Sequence, residues 1–338
     1  MVNVEAILQG DRRALAQLLT LVENDDPRGA EALDQLFPHT GKAHLVGITG
    51  SPGTGKSSLA NQLAKVYRKP GDGSAPRRVA VVAVDPSSPF TGGAILGDRV
   101  RMRDLSGDPG VFIRSMASRG ALGGIARATA AVVQVLDAAG YEMILIETVG
   151  AGQTEVDIAK LAHTTIVVEA PGLGDDIQAI KAGILEIADI LVVNKADLPG
   201  AENTMRALRA SLELAHPVRH LDSLKAGHAG SMKTTDISQA EDDLWLPPIL
   251  LTESPRAVGI VEVTQAIARH ADYLHRSGEW EQREQNRLRS ELDALIQAQL
   301  VARWRNSVPP SAYDQALEAL YNHQISPQQA AGNLVKEQ

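Results

Sequence analysis

The segment Gly50-Ser51-Pro52-Gly53-Thr54-Gly55-Lys56-Ser57 constrains this chain more than any other. It satisfies the pattern G-x-x-x-x-G-K-[ST] at every fixed position, the signature of a phosphate-binding loop. The flanks agree with that reading. Residues 43–49 (AHLVGIT) read as a buried strand, and residues 58–67 (SLANQLAKVY) as a helix with Leu59, Leu63 and Val66 on its apolar side. Strand, glycine turn and helix together aim backbone N–H groups and a helix N-terminus at an anion. Lys56 would reach the β- and γ-phosphates, and the Ser57 hydroxyl would ligate Mg²⁺. The candidate phosphate-binding set thus runs from Gly50 through Ser58.

A second motif selects the base. Residues 190–193 (ILVV) form an apolar strand, and Asn194-Lys195-Ala196-Asp197 follows at once. This is an N-K-x-D pattern. The Asp197 carboxylate would accept from the N1–H and 2-amino groups of guanine. Adenine offers neither donor there, so a site built on those bonds rejects it by leaving a polar group unpaired. Asn194 and the Lys195 stem would brace the loop and cover the ring. The expected ligands are GTP and GDP.

Between and beyond these motifs, short apolar runs alternate with helical patterns. Residues 78–84, 143–146, 165–168 and 249–252 read as further strands, and residues 117–139 as a helix. Uninterrupted apolar strands separated by helices predict an α/β fold, a P-loop NTPase with a mostly parallel sheet covered by helices on both faces. Ligands then sit at the C-terminal ends of the strands, where both motifs fall. Helical spacing over 4–22, broken at Gly10-Asp11, and over 30–36 predicts an N-terminal helical extension, residues 1–40. The nucleotide domain is expected over 41–276, with 220–243 a polar loop or insertion. Residues 277–338 read as a C-terminal helical arm, broken at Pro309-Pro310, whose apolar stripe Leu288, Leu292, Leu295, Ile296 and Leu300 suits either dimerisation or intrachain packing.

The bulk properties exclude several classes. A net charge of −8 argues against general nucleic-acid binding. No stretch reaches the ~18 apolar residues of a membrane span, and the first residues lack the order of a signal peptide. Zero cysteines exclude disulfides and thiolate metal sites. A cytoplasmic protein is expected.

Three acidic residues stand where a metal would need them. Asp85, at the end of the second strand beside the phosphate loop, either holds a Mg²⁺ water or orients a nucleophilic water, or else caps the turn at Ser87 and Ser88. Asp98 follows the glycines of TGGAILGD and either approaches Mg²⁺ when that loop closes or caps a helix. Glu147 ends the third strand three residues before Gly150, whose N–H would sense the γ-phosphate; with Glu147 in place of the usual aspartate, its contact to Mg²⁺ would run through water. Lys56, Asp85, Asp98 and Glu147 form the candidate catalytic set, and Ser57, Asp85, Asp98 and Glu147 the candidate metal set. Gln153 invites comparison with a water-positioning glutamine, but nothing in the sequence aims it at the phosphate.

The ordered series GSPGTGKS, VDPSS, TGGAILGDRVRM, SRGALGG, ILIETVGAGQTE, GLGDDIQAIKAGI and NKAD, spanning roughly residues 40 to 200, resembles the MeaB/ArgK family of P-loop GTPases. The resemblance implies a Mg²⁺-dependent GTPase chaperone for an adenosylcobalamin-dependent acyl-CoA mutase, usually methylmalonyl-CoA mutase. Such a protein gates cofactor loading and protects the mutase from inactivation. It also implies a homodimer joined by C-terminal helices, Asp85, Asp98 and Glu147 as an acidic cluster around Mg²⁺, and residues 172–184 as a mobile loop with Lys181 as its coupling charge. Two departures stand out. Ala182 occupies a position that is basic in some members, and Thr252-Glu253-Ser254-Pro255 replaces a Ser-Ala type turn, leaving backbone contacts to the base to Ser254. An older family label, kinase of an amino-acid transport system, finds no substrate site here.

Other classes share the core. A nickel or cobalt metallochaperone GTPase would need better soft ligands than scattered histidines. A P-loop kinase would leave Asp197 without guanine and needs a substrate lid. A protein-targeting GTPase would need a methionine-rich domain, and the chain has six methionines in all.

Overall fold

The structure, a computed structural model, describes residues 2–86, 102–105, 107–118, 124–148, 154–172, 185–215 and 244–336. Two compact units emerge, residues 1–286 and 287–338.

The first unit is built on seven parallel strands: β1 His44–Thr49, β2 Val79–Pro86, β3 Val111–Ser118, β4 Met143–Thr148, β5 Thr164–Glu169, β6 Ile190–Asn194 and β7 Ile249–Thr252, in the order β3-β2-β4-β1-β5-β6-β7. The central strands β1, β4, β5 and β6 are buried at every position, as expected of parallel strands covered on both faces. On one face lie α4 (Lys56–Arg68) and α8 (Ile260–Ser277), with Leu59, Leu63, Val263 and Ile267 packed on Val46, Ile48, Ile166 and Val192. The other face carries α5 (Gly124–Ala138) and α6 (Thr154–Leu161), with α7 (Ala201–Ala215) packed on β6 and β7.

The first three helices, α1 (Val4–Leu8), α2 (Arg12–Glu23) and α3 (Pro27–Leu36), are short and capped by their own sequence. Asn3, Asp11 and Asp26 each accept from the first turn, and Pro27 stands at N1 of α3, where its missing N–H costs nothing. Their apolar residues Ile7, Leu15, Leu18, Leu19 and Leu36 join Ala80, Val82 and Leu136 in one core. Asp137 then sets the approach to β1: its carboxylate accepts from the N–H groups of Gly41, Lys42 and Ala43.

The strand absent from the sequence reading is β3. It takes part of the segment read as helix, since the residues from 111 to 118 are extended and α5 begins only at Gly124. The reason is its position. As an edge strand it pairs with β2 alone, and its apolar run is broken by Arg114, Ser115 and Ser118. Its Arg114 forms a bidentate ion pair with Glu23 of α2, at 2.6 Å for each contact, where a central strand would bury an apolar side chain.

The second unit holds the rest of α9 (Glu279–Ser307) together with α10 (Pro310–Tyr321) and α11 (Pro327–Lys336). Trp304 donates its indole N–H to the Leu334 carbonyl at 3.0 Å and meets Tyr313 edge to face. Leu292, Leu295, Ile296 and Leu300 stay exposed along α9. No described helix is long and apolar enough to cross a membrane.

Candidate functional site

The phosphate loop runs from the C-terminal end of β1 to the start of α4. Gly50 lies against β5 so closely that a Cβ would sit 2.0 Å from the Val168 carbonyl oxygen, and its φ is +132°. Only glycine fits there. Thr54, fully buried, closes the loop by donating its hydroxyl to the Ser51 carbonyl at 3.0 Å. Gly55 is left-handed at φ +93° and caps α4 without any side chain. The first N–H groups of α4 are therefore left for an anion rather than a capping oxygen.

Two side chains from that first turn point to opposite chemistry. Lys56, 5% exposed, donates its ammonium to the carbonyls of Gly50 at 2.7 Å and Ser51 at 2.8 Å. Ser57 donates its hydroxyl to the carboxylate of Glu147, which ends β4 and is 2% exposed. A serine hydroxyl and a buried carboxylate meeting beside a phosphate loop are the hard oxygen donors Mg²⁺ takes, so the residues present fit that ion. Next to them Thr148 donates to Thr49 at 3.1 Å, tying β4 to β1. The backbone of Asp85 lies at the same sheet end: Val84 is level with Thr148 in the register. Asp98, Gly150, Gln153 and Lys181 lie outside the described residues.

Asn194, 1% exposed, links the two motifs. Its amide N–H donates to the Thr54 carbonyl of the phosphate loop at 2.8 Å. Its carbonyl oxygen accepts from Thr252 Oγ1 at 3.0 Å, and from Ser254 through N–H at 3.2 Å and Oγ at 2.9 Å. One amide thus joins the ends of β6 and β7 to the loop after β1. Lys195 takes a left-handed φ of +56°, and Leu198 closes the turn onto its carbonyl at 2.9 Å. Asp197 is exposed, and Ser254 is fully buried. The structure therefore brings together Gly50 through Ser58, Glu147, Asn194 and Ser254, with Asp197 on the rim.

Sequence reasoning missed two residues at this site. Thr252 was visible only as part of the turn after a strand. Glu169, which ends β5, lies 3.4 Å from the Ser51 hydroxyl and is 7% exposed. An acidic residue closing an apolar run was the signal that singled out Glu147, and the same signal was present in TTIVVE.

Fold and contacts define a P-loop nucleotide-binding protein. The family follows from its sequence: the chain belongs to the MeaB family, since the family model for the methylmalonyl Co-A mutase-associated GTPase MeaB matches residues 15–308. A Pyrococcus abyssi relative is 43% identical over 334 residues, covering 99% of this chain and 95% of its own. The GTPase ArgK of Escherichia coli is 34% identical over 333 residues, 96% of this chain and 92% of that one. A solved structure of a LAO/AO transport system kinase matches at a TM-score of 0.64 and 26% identity, covering 98% of this chain and 95% of that one. The chain is accordingly a GTPase that binds guanine nucleotides.

Proposed function

We propose that this GTPase is a Mg²⁺-dependent switch that attends an adenosylcobalamin-dependent acyl-CoA mutase, most directly methylmalonyl-CoA mutase, gating cofactor loading and protecting the mutase from inactivation. The family's own description, a mutase-associated GTPase, supports the partner. The observation that carries the switch is the Asn194 amide, bonded at once to the phosphate loop and to the turn after β7. Base recognition and phosphate recognition are mechanically one unit, so the nucleotide's two ends are sensed together.

In this reading each residue has a stated task. Lys56 exchanges its loop carbonyls for phosphate oxygens. Ser57 and Glu147 hold Mg²⁺, Glu147 through water, with Asp85 and Asp98 completing the acidic set. The ion would neutralise charge on the phosphates. Gly50 through Ser58 cradle the phosphates, with Gly150 sensing the γ-phosphate. Asp197 pairs with guanine, Lys195 covers it, and the backbone of Ser254 faces the base. Residues 172–184, with Lys181, carry the partner's signal.

The same proposal includes a cytoplasmic homodimer. The exposed Leu292, Leu295, Ile296 and Leu300 on α9 support it, because a run of apolar side chains on one helix face is costly in water.

Pull-down from native lysate tests the partner, with the protein held by a non-hydrolysable GTP analogue or by GDP and the co-eluting proteins identified by mass spectrometry. Nucleotide-dependent recovery of a cobalamin-dependent mutase is the expected outcome. Recovery of a hydrogenase or urease precursor would instead place the chain among metallochaperones.

A further inference from the structure

The phosphate loop is in contact with both a cation and an anion. Both reach it through the same residue. The Ser51 carbonyl accepts from the Lys56 ammonium at 2.8 Å, while the Ser51 hydroxyl lies 3.4 Å from Glu169 Oε1. The backbone fixes this placement. Thr49 is level with Val167 in the parallel pairing of β1 with β5, so Glu169 falls beside Ser51. Gly50 packs closely on Val168 of the same strand as Glu169, which keeps the loop beside the end of β5. Glu169 is also 7% exposed, so bulk water screens it poorly.

We propose that Glu169 is an electrostatic brake on nucleotide binding: its carboxylate, held at Ser51 of the phosphate loop, opposes the negative charge of the phosphates and thereby sets the affinity for GDP and GTP. This rests on the phosphate-loop reading above. The nucleotide changes the balance of charges around Ser51. Without it, Glu169 shares the loop with the Lys56 ammonium, an attractive interaction. With it, Lys56 is neutralised by phosphate, and the carboxylate faces added negative charge that it cannot leave, because it sits on a strand of the sheet. Interactions between charges several ångströms apart at a partly buried site remain worth about tenfold or more in an equilibrium constant. Loop positioning acts in the opposite direction, since Glu169 also accepts from Ser51. Glutamine separates the two effects: it keeps an acceptor oxygen of the same reach and removes only the charge.

Calorimetry with GDP, a non-hydrolysable GTP analogue and guanosine, on the full chain with Mg²⁺, decides the matter. The variants are Glu169→Gln and Glu169→Asp, each first checked for an unchanged unliganded melting temperature. Glu169→Gln should bind GDP about tenfold tighter, the GTP analogue tighter still, and guanosine no differently, because the effect scales with phosphate charge. Glu169→Asp keeps the charge and should stay near the parent affinity. Equal or weaker GDP binding by Glu169→Gln overturns the brake while leaving the phosphate loop intact. A tightening in Glu169→Asp as large as that in Glu169→Gln also overturns it, because the charge is still present there. Failure of the parent protein to bind GDP at all removes the nucleotide site and this inference together.

Discussion

Asn194 and Asp197 share one four-residue motif and hold different places in the structure. Asn194 is buried and bonded to Thr54, Thr252 and Ser254. Its replacement by alanine strands donors and acceptors away from water, and each such orphan costs roughly 1–3 kcal/mol. Asn194→Ala should therefore lower stability without nucleotide by about 3 kcal/mol, read from urea denaturation, and weaken GDP as well. Asp197 is exposed. Asp197→Ala should leave urea stability within about 0.5 kcal/mol, as exposed substitutions do. Its GDP affinity should fall by about 2–3 kcal/mol, the scale of lost charge-assisted hydrogen bonds, and calorimetry against GDP and ADP checks it. Comparable GDP and ADP affinities in the parent protein would remove the guanine assignment. Gly55→Ala belongs at this scale too. A Cβ there would meet Asn194 Nδ2 at 2.4 Å, with φ at +93°, so this one methyl group should disrupt the Asn194–Thr54 bond and abolish measurable GDP binding.

At the scale of elements, what was legible depended on burial. The strands buried on both faces announced themselves as unbroken apolar runs, and the glycine-rich turn after β1 and the N-K-x-D turn after β6 fixed both nucleotide motifs. Edge strand β3 did not, because Arg114, Ser115 and Ser118 interrupt its apolar residues. The contact of Glu169 with the loop was equally hidden, since register between β1 and β5 is a property of the sheet and not of either segment. The least legible feature is a cluster of histidines beneath the opposite end of the sheet. His44 at the start of β1 and His270 of α8 share the Thr164 hydroxyl, at 2.8 and 2.9 Å. Trp280, in the first turn of α9, stacks on His163 at 3.9 Å and on His275 at 4.2 Å. In sequence these are four scattered residues. Burial, followed by the positive charges of His163, His270, Arg77 and His275, depresses His44 to about 3. The unfolded chain takes up that proton near 6.5, so folding excludes it across the window between. Stability from this group is complete above pH 6.5 and is lost as pH falls toward 3, at up to about 1.4 kcal/mol per pH unit. Lowering pH from 6.5 to 5 should remove about 2 kcal/mol, measured by urea denaturation, and His44→Gln should flatten that slope. Asp189 also has a depressed value: the hydrogen bonds from His270 and Arg283 outweigh the upward push of its burial. Its contribution is lost only below the ordinary aspartate range, outside this window.

At the scale of the whole molecule the question is what the hydrolysis of GTP accomplishes. The nucleotide site is built to join base and phosphate sensing. The candidate arginines for stabilising transferred charge, Arg99, Arg101 and Arg119, all belong to glycine-rich segments outside the described residues. A partner that sets one of them against the transferring phosphate would stabilise the charge that develops there. The isolated protein should therefore turn over GTP well below the ~10 s⁻¹ of a median enzyme, and the mutase should accelerate it. Steady-state phosphate release with and without the mutase measures both. Binding adds a stricter requirement. If GTP and GDP forms differ in affinity for the mutase by some factor, the mutase must change the ratio of GTP to GDP affinity by that same factor. A fluorescent GDP competed with a non-hydrolysable GTP analogue, with the mutase absent and then saturating, gives the second factor; mutase titrations of each nucleotide form give the first. Lys181→Ala should shrink both factors together and leave GDP binding by the free protein unchanged, because Lys181 belongs to neither nucleotide motif. Loss of GDP binding in that variant alone would move residues 172–184 into the nucleotide pocket, and the division of labour between site and partner loop would have to be redrawn.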